Sequence, residues 1–237
     1  MTRPVALVTG GARGIGRAIA EEMAADHYIA LTYLGGGPEA AAFAADHPST
    51  LLIQADLTEM PAQVLIDQVA DHFGRLDLLV NNAGHVQENP WDSFDAAIAS
   101  HAMLLNAVVP MALIAAAAPK MPRGASIVNI ASTNARFPPN AAPDYGASKA
   151  ALLNITTSAA KMFAPMGLRV NAVSPGAVER AYKPRPAEMV AEIEAATPLG
   201  AMATVTDVAR AVRFLASPAA ASITGEEITV AGGYGLF

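Results

Sequence analysis

Val5-Ala6-Leu7-Val8-Thr9-Gly10-Gly11-Ala12-Arg13-Gly14-Ile15-Gly16 is the stretch that decides how the rest of the chain must fold. Four consecutive apolar residues with no polar alternation describe a strand covered on both faces, as in a parallel sheet. Helical spacing follows at once, so the glycines fall in a strand-to-helix turn. There the backbone must approach a ligand and the helix must pack close to the strand. The N–H groups that open such a helix favour a pyrophosphate. Taken alone, the stretch is also compatible with a plain tight turn.

The same alternation continues outward. A second strand over 28–33 runs through Gly35-Gly36-Gly37 into an alanine-rich helix, and a third over 51–54 ends at Ala55-Asp56-Leu57. A helix over 61–73 precedes a strand over 76–80 that closes on Asn81-Asn82-Ala83-Gly84. Further strands are predicted over 126–131, 168–173 and 227–230, with helices near 93–120, 145–164 and 206–216. Seven strands at βαβ spacing imply one α/β domain with a doubly wound parallel sheet and helices on both faces. Ligands of such a sheet sit beyond the carboxyl ends of its strands, where the distinctive motifs here all fall. No linker, repeat or low-complexity tract divides the 237 residues, and the alanine richness at helical positions reflects propensity and close packing.

A hydrophobic fraction of 53% against 15% charged residues indicates a large buried core. A net charge of −6 without a run of Lys or Arg argues against nucleic-acid or anionic-membrane binding. With no cysteine and no H-x-x-x-H spacing among the five histidines, a metal site is not expected. Met1-Thr2-Arg3-Pro4 leads straight into the first strand without a signal-peptide apolar region, so a cytoplasmic location is expected. The apolar stretch 102–119 barely reaches spanning length and is interrupted by Asn106 and Pro110, so it reads as a buried or subunit-contacting helix.

Tyr145-Gly146-Ala147-Ser148-Lys149 carries the most chemistry. On a helix, residues i and i+4 share a face, which places the phenol and the ammonium one turn apart. A free tyrosine titrates near pH 10, and a neighbouring cation favours the phenolate and lowers that value, making proton transfer feasible at neutral pH.

Taken together, Thr9-Gly10-x-x-x-Gly14-Ile15-Gly16, Asp56, Asn81-Asn82-Ala83-Gly84, Asn106, Ser132, Tyr145-x-x-x-Lys149, Asn171 and Pro175-Gly176 resemble the classical short-chain dehydrogenase/reductase family over essentially the whole chain. The spelling is similar to its 3-oxoacyl-carrier-protein reductases. The resemblance implies a single Rossmann-type domain over residues 1–237 that binds the dinucleotide and carries catalysis, with 177–200 as a substrate lid. It implies hydride transfer between a nicotinamide and a carbonyl or alcohol carbon. In that scheme Ser132 holds the carbonyl oxygen and Tyr145 is the acid/base. Lys149 binds the nicotinamide ribose and favours the phenolate, while Asn106 positions a water that links Lys149 to solvent. Gly10, Gly14, Ile15 and Gly16 would surround the pyrophosphate, Asp56 and Leu57 the adenine, and Asn82, Ala83 and Gly84 the adenosine ribose. Pro175, Gly176 and Val178 would face the nicotinamide. Homodimers or homotetramers are implied, paired through the helix around 106–118 and the helix after Tyr145.

NADP is favoured over NAD. The second strand ends Leu31-Thr32-Tyr33-Leu34 with no carboxylate for a ribose 2′-hydroxyl, and Arg13 is placed to pair with a 2′-phosphate. The competing reading of Arg13 is a solvated turn residue. Two departures from the family pattern stand out. Arg180 replaces the usual threonine four residues beyond Gly176, and Ala231-Gly232-Gly233 replaces Asp-Gly-Gly. Arg180, Lys183 and Arg185 cluster in the lid, either to attract an anionic substrate or as a solvated loop face. The substrate pocket is expected from residues 84–90, 135–144 and the lid, with Phe137-Pro138-Pro139 as an apolar wall and Trp91 either at its rim or in packing. The leading expectation is an NADP-dependent carbonyl reductase. An NAD-dependent alcohol or sugar dehydrogenase and a catalytically silent dinucleotide-binding regulatory or scaffold protein are the alternatives.

Overall fold

The computed structural model describes residues 3–179 and 184–235. The first strand, β1 (Val5–Val8), shows why the fold follows from its sequence. Its side chains alternate between the two faces of the sheet, with Val5 and Leu7 entering one apolar cluster and Ala6 and Val8 the other, all fully buried. The glycine turn leads into α1 (Gly14–Met23), then β2 (Tyr28–Tyr33), α2 (Gly37–Asp46), β3 (Leu51–Gln54), α3 (Ala62–Phe73) and β4 (Leu78–Asn81). After β4, α4 (Ala96–Met103) and α5 (Val109–Ala117) are joined without a break by a π-helical turn, Leu104–Val108. Next come β5 (Ser126–Ile130), α6 (Pro143–Phe163), β6 (Arg169–Pro175), α7 (Ala187–Ala195), α8 (Val205–Ala216) and β7 (Glu227–Val230).

All strand pairs are parallel and the order across the sheet is β3-β2-β1-β4-β5-β6-β7. The chain thus winds one way from β1 to β3 and the other way from β4 to β7. That reversal, between β1 and β4, opens a crevice at the carboxyl ends. One face is covered by α3, α5 and α6 through Leu65, Ile66, Val69, Leu113, Ile114 and Ala160. The other is covered by α1, α2 and α8 through Ile19, Met23, Phe43, Val208, Val212 and Leu215. Thr204 and Asp207 cap α8 reciprocally, side chain to backbone in both directions, which fixes where it starts.

Most boundaries fall within two residues of the sequence expectation, and three differences have an identifiable cause or consequence. The strand expected over 76–80 begins at Leu78, because the Asp77 carboxylate accepts the Val5 N–H at 2.9 Å and pairs with Arg75, leaving 75–77 as irregular chain ahead of the strand. The strand expected over 168–173 starts one residue later and continues to Pro175, where pairing with Val230 needs no N–H from the proline. The helix α7 lies inside the segment expected as a lid and was not predicted. The helical run 96–120 is long and apolar enough by composition to cross a membrane. Here Val109, Leu113, Ile114 and Ala117 face the core, while Met103, Leu104, Val108 and Met111 remain exposed.

Candidate active site

Pro143 sits in the first turn of α6, where a missing N–H costs nothing, and the helix carries Tyr145 and Lys149 on one face. Lys149 is 4% exposed. Its Nζ donates to the Ile130 carbonyl at the end of β5 at 2.8 Å and lies 5.8 Å from the Tyr145 ring centroid. No carboxylate pairs with it among the described residues. Burial therefore acts alone, lowering its pKa from 10.5 to about 8. The group stays largely protonated at neutral pH, yet close to release.

Ser132 follows β5 directly. Its Oγ accepts the Asn134 N–H at 3.1 Å, capping a short 3₁₀ turn over Thr133–Ala135. The cap uses an acceptor site of the hydroxyl and leaves its proton to be donated elsewhere. Ser132, Tyr145 and Lys149 line the same cleft.

Asn106 is fully buried and is not among the residues lining that cleft. Its Oδ1 accepts the His85 N–H at 3.0 Å, and its Nδ2 donates to the His85 carbonyl at 2.9 Å and to Ser148 Oγ at 3.0 Å. Ser148 in turn donates to the Tyr145 carbonyl at 2.7 Å. Asn106 stands on the π turn, which re-aims this one side chain without ending the helix. The helical distortion lies at 104–108, around Asn106 itself and ahead of Pro110.

The cleft, about 880 Å³, runs along the carboxyl ends of the strands. At β1 the glycine turn lines it, with Gly10 and Gly14 at φ of 64° and 57°. A methyl group on Gly16 would lie 2.3 Å from the Gly10 carbonyl oxygen and 2.5 Å from Asn82 Nδ2, so only glycine permits this approach. Asn82 Nδ2 donates to the Thr9 and Gly10 carbonyls at 2.8 and 3.1 Å, and Thr9 Oγ1 receives the Asn82 and Ala83 N–H groups at 3.0 Å each. No side chain caps α1. Its first N–H groups are thus presented to an incoming anion, and the cradle fits a dinucleotide pyrophosphate.

Beside the turn, Arg13 reaches Glu39 at 4.0 Å, both about half exposed, a pairing too solvated to fix the guanidinium strongly. Tyr33, Leu34 and Gly35 continue the cleft past β2 without an acid. At β3, Asp56 accepts the Thr58 hydroxyl and N–H at 2.6 and 2.9 Å, and these bonds hold its pKa below the usual carboxylate value. Leu57 lines the cleft beside it, Ala83 and Gly84 line it at β4, and Pro175, Gly176 and Val178 at β6. Of the expected cofactor residues only Gly14 is not among its lining, although its positive φ shapes the turn.

Sequence reasoning missed three contributors, Thr32, His101 and Tyr234, whereas His85 falls in the stretch 84–90 expected to line the pocket. Thr32 Oγ1 accepts the Gly10 N–H at 3.1 Å and anchors the glycine turn to β2. His85 and His101 line the cleft with ring centroids 6.0 Å apart. Tyr234 lines it from beyond β7. A polar residue within a strand or at a chain end gives no periodic signal, and their roles come from contacts distant in sequence. One expectation for the substrate pocket is corrected, and at Trp91 the packing alternative is the one found. None of residues 135–144 lines the cleft, because Phe137 is turned against Gly235 instead. Trp91, 76% exposed, stacks on Phe94 outside it. Arg180 and Lys183 lie outside the described residues. Arg185 lines the cleft and donates to the Val178 carbonyl at 2.6 Å.

A family model described as enoyl-(acyl carrier protein) reductase matches residues 10–235. An uncharacterised oxidoreductase of Mycobacterium tuberculosis is 36% identical, covering 97% of this chain and 91% of the relative. A 3-oxoacyl-[acyl-carrier-protein] reductase of Staphylococcus aureus is 34% identical over 96% of both. Among solved structures, a short-chain dehydrogenase from Burkholderia cenocepacia in complex with NADP superimposes with a TM-score of 0.91 at 34% identity, covering 98% of this chain and 97% of that one. With likeness of this extent at both levels, the chain belongs to the short-chain dehydrogenase/reductase family and is an oxidoreductase of alcohol and carbonyl groups.

Proposed function

We propose that the protein reduces a carbonyl compound with NADPH, Tyr145 serving as the proton donor. The observation that carries this reading is the convergence of Ser132, Tyr145 and the buried Lys149 on a cleft continuous with the uncapped start of α1. When bound, the cofactor supplies the hydride. The chain supplies the rest. Ser132 donates its free hydroxyl proton to the substrate oxygen, and Tyr145 delivers a proton to that oxygen as negative charge develops. The Lys149 ammonium stabilises the phenolate left behind. Asn106 acts through others, holding the His85 backbone and, via Ser148, the first turns of α6.

Gly10, Ile15 and Gly16 would hold the pyrophosphate, with Gly14 shaping the turn; Asp56 and Leu57 would hold the adenine end, Asn82, Ala83 and Gly84 the adenosine ribose, and Pro175, Gly176 and Val178 the nicotinamide. NADP is favoured over NAD because Asp56 is the one acid among the described cleft-lining residues and the Arg13 guanidinium reaches from the glycine turn to Gly35 and Gly36, just beyond β2. The NADP complex of the Burkholderia relative supports the same choice. Residues 177–200 act as the substrate lid, and the exposed apolar side chains of α4, the π turn and α5 pair with a second copy. The test is cofactor oxidation with ketones and oxoacyl thioesters. NADPH should be used with a Michaelis constant about tenfold or more below that for NADH, and Arg13→Ala should raise only the NADPH value, as expected for a lost charge-assisted contact. Preferred use of NADH, unchanged in Arg13→Ala, would refute the cofactor assignment.

A further inference from the structure

The cleft ends on a wall that neither its motifs nor its relatives' names assign. Because the sheet order is β3-β2-β1-β4-β5-β6-β7, position along the cleft can be read from the strand beneath it. Arg13 and the glycine turn lie over β1, Ser132 follows β5 and Gly176 follows β6. The tail after β7 is anchored on the far side, since the Gly176 N–H donates to the Val230 carbonyl at 3.0 Å and a methyl on Gly176 would meet the Ala231 Cβ at 2.8 Å. Neighbouring strands are about 4.8 Å apart, so the end of β7 stands about 10 Å beyond that of β5. Tyr234 lines the cleft there, 40% exposed.

The tail is gripped from two sides. Gly232, at φ 61°, packs on Thr197 and Ala201 and accepts the Leu199 N–H at 3.0 Å; Gly233, at φ 88°, lies against the Pro198 ring. On the other side Gly235, at φ 86°, abuts Phe137, and a methyl there would come within 2.7 Å of the ring. Positive φ at all three positions admits glycine and strains other residues. Tyr234 is therefore presented by a clamped turn, between the segment carrying Ser132 and the end of the segment carrying α7. Ile193 of α7 lines the same cleft.

We infer that Tyr234 is a specificity-determining residue whose ring, with Ile193, receives an aromatic or branched alkyl arm on the substrate ketone. The inference rests on the reductase reading and deepens it. An arm extending from a carbonyl at Ser132 toward β7 crosses about two strand spacings, enough for a phenyl group, whose flat face matches the phenol ring.

The test compares kcat/KM for acetophenone and butanone with NADPH in wild type, Tyr234→Phe and Tyr234→Ala. Tyr234→Ala should lower the acetophenone value by about tenfold or more while leaving butanone within about twofold, the scale of one lost apolar subsite contact. Tyr234→Phe should keep the wild-type ratio, and the KM for NADPH should be unchanged in both. Gly235→Val, which drives a side chain into Phe137 and displaces the turn, should reproduce the Tyr234→Ala ratio with the far-ultraviolet spectrum of wild type. Wild-type turnover with a ratio indifferent to both substitutions overturns the assignment of Tyr234 alone. No turnover of any carbonyl compound by the wild type overturns the reductase reading and this inference with it.

Discussion

Lys149 and Tyr145 stand one helical turn apart on α6, with the ammonium nitrogen 5.8 Å from the phenol ring centroid and pinned to the Ile130 carbonyl at 2.8 Å. The strand end and the helix thus fix the cation jointly. Its charge is available to the phenolate without being neutralised by a carboxylate.

That arrangement separates catalysis from binding. Tyr145→Phe removes the proton donor and keeps the ring, so reduction should fall by about a hundredfold or more, the usual share of a general acid. The dissociation constant for NADPH, followed by fluorescence, should stay within a few-fold. Full turnover in this variant would remove Tyr145 from the mechanism, and a wild type that binds NADPH but reduces nothing would favour the silent binding protein.

Lys149 makes two statements about pH. In the free enzyme its pKa is lowered by burial from 10.5 to about 8, so kcat/KM for reduction should decline above about pH 8 as the ammonium is lost. Stability should move the opposite way. Below about pH 8 the lysine is protonated in both folded and unfolded chains, and the full cost of burying the charge is present. Between about 8 and 10.5 the folded state has released the proton while the unfolded state still holds it, so the contribution of this group to stability rises with pH. Urea denaturation of the ligand-free protein should show the rise relative to Lys149→Met. Parallel pH curves for the two proteins would contradict it.

Gly16 tests the cradle. Its hypothetical Cβ lies 2.3 Å from a backbone oxygen that Asn82 also holds, so the turn cannot yield by rotating a flexible side chain. Gly16→Ala should destabilise the protein by about 1–3 kcal/mol through overpacking. It should weaken NADPH binding by more than it shifts the acid/base pH profile, because Tyr145 and Lys149 sit on a different helix. Wild-type affinity would mean that the first turn of α1 does not receive the pyrophosphate.

How much of this was legible in the sequence depended on range. The alternation of strand and helix, the glycine turn and the Tyr145 to Lys149 spacing are local patterns, and local periodicity reports them directly. The start of β4 shifted because Asp77 prefers the Val5 N–H, a contact across 72 residues. The substrate wall was misplaced for the same reason. Phe137-Pro138-Pro139 looks like a pocket lining by composition, but its ring is taken by Gly235, and Tyr234 occupies the cleft. The π turn at Leu104–Val108 escaped because one extra residue in a continuous apolar helix barely changes the hydrophobic pattern. The helix α7 has no fully buried residue, so no apolar stripe announced it.

Exposed apolar side chains of the helical run 96–120 give the remaining prediction. Met103, Leu104, Val108 and Met111 are between 37% and 49% exposed, while Leu113, Ile114 and Ala117 of the same run are in the core. Spacings of three and four residues place Leu104, Val108 and Met111 along one outward stripe, the form of a helix that packs against a copy of itself. A charge at the centre of such a stripe would have to be buried without a partner. Val108→Arg should therefore weaken association by about thirtyfold or more, the cost of disrupting an interface hot spot, and move the mass measured by light scattering toward the monomer at micromolar concentration. Tyr145, Lys149 and Ser132 are not on this stripe, and Asn106 of the same π turn bonds α6 from its buried side, so residual turnover in the dissociated species would report how far the active site stands without its neighbour. An unchanged mass in Val108→Arg, or a monomeric wild type, would rule this stripe out as the subunit contact.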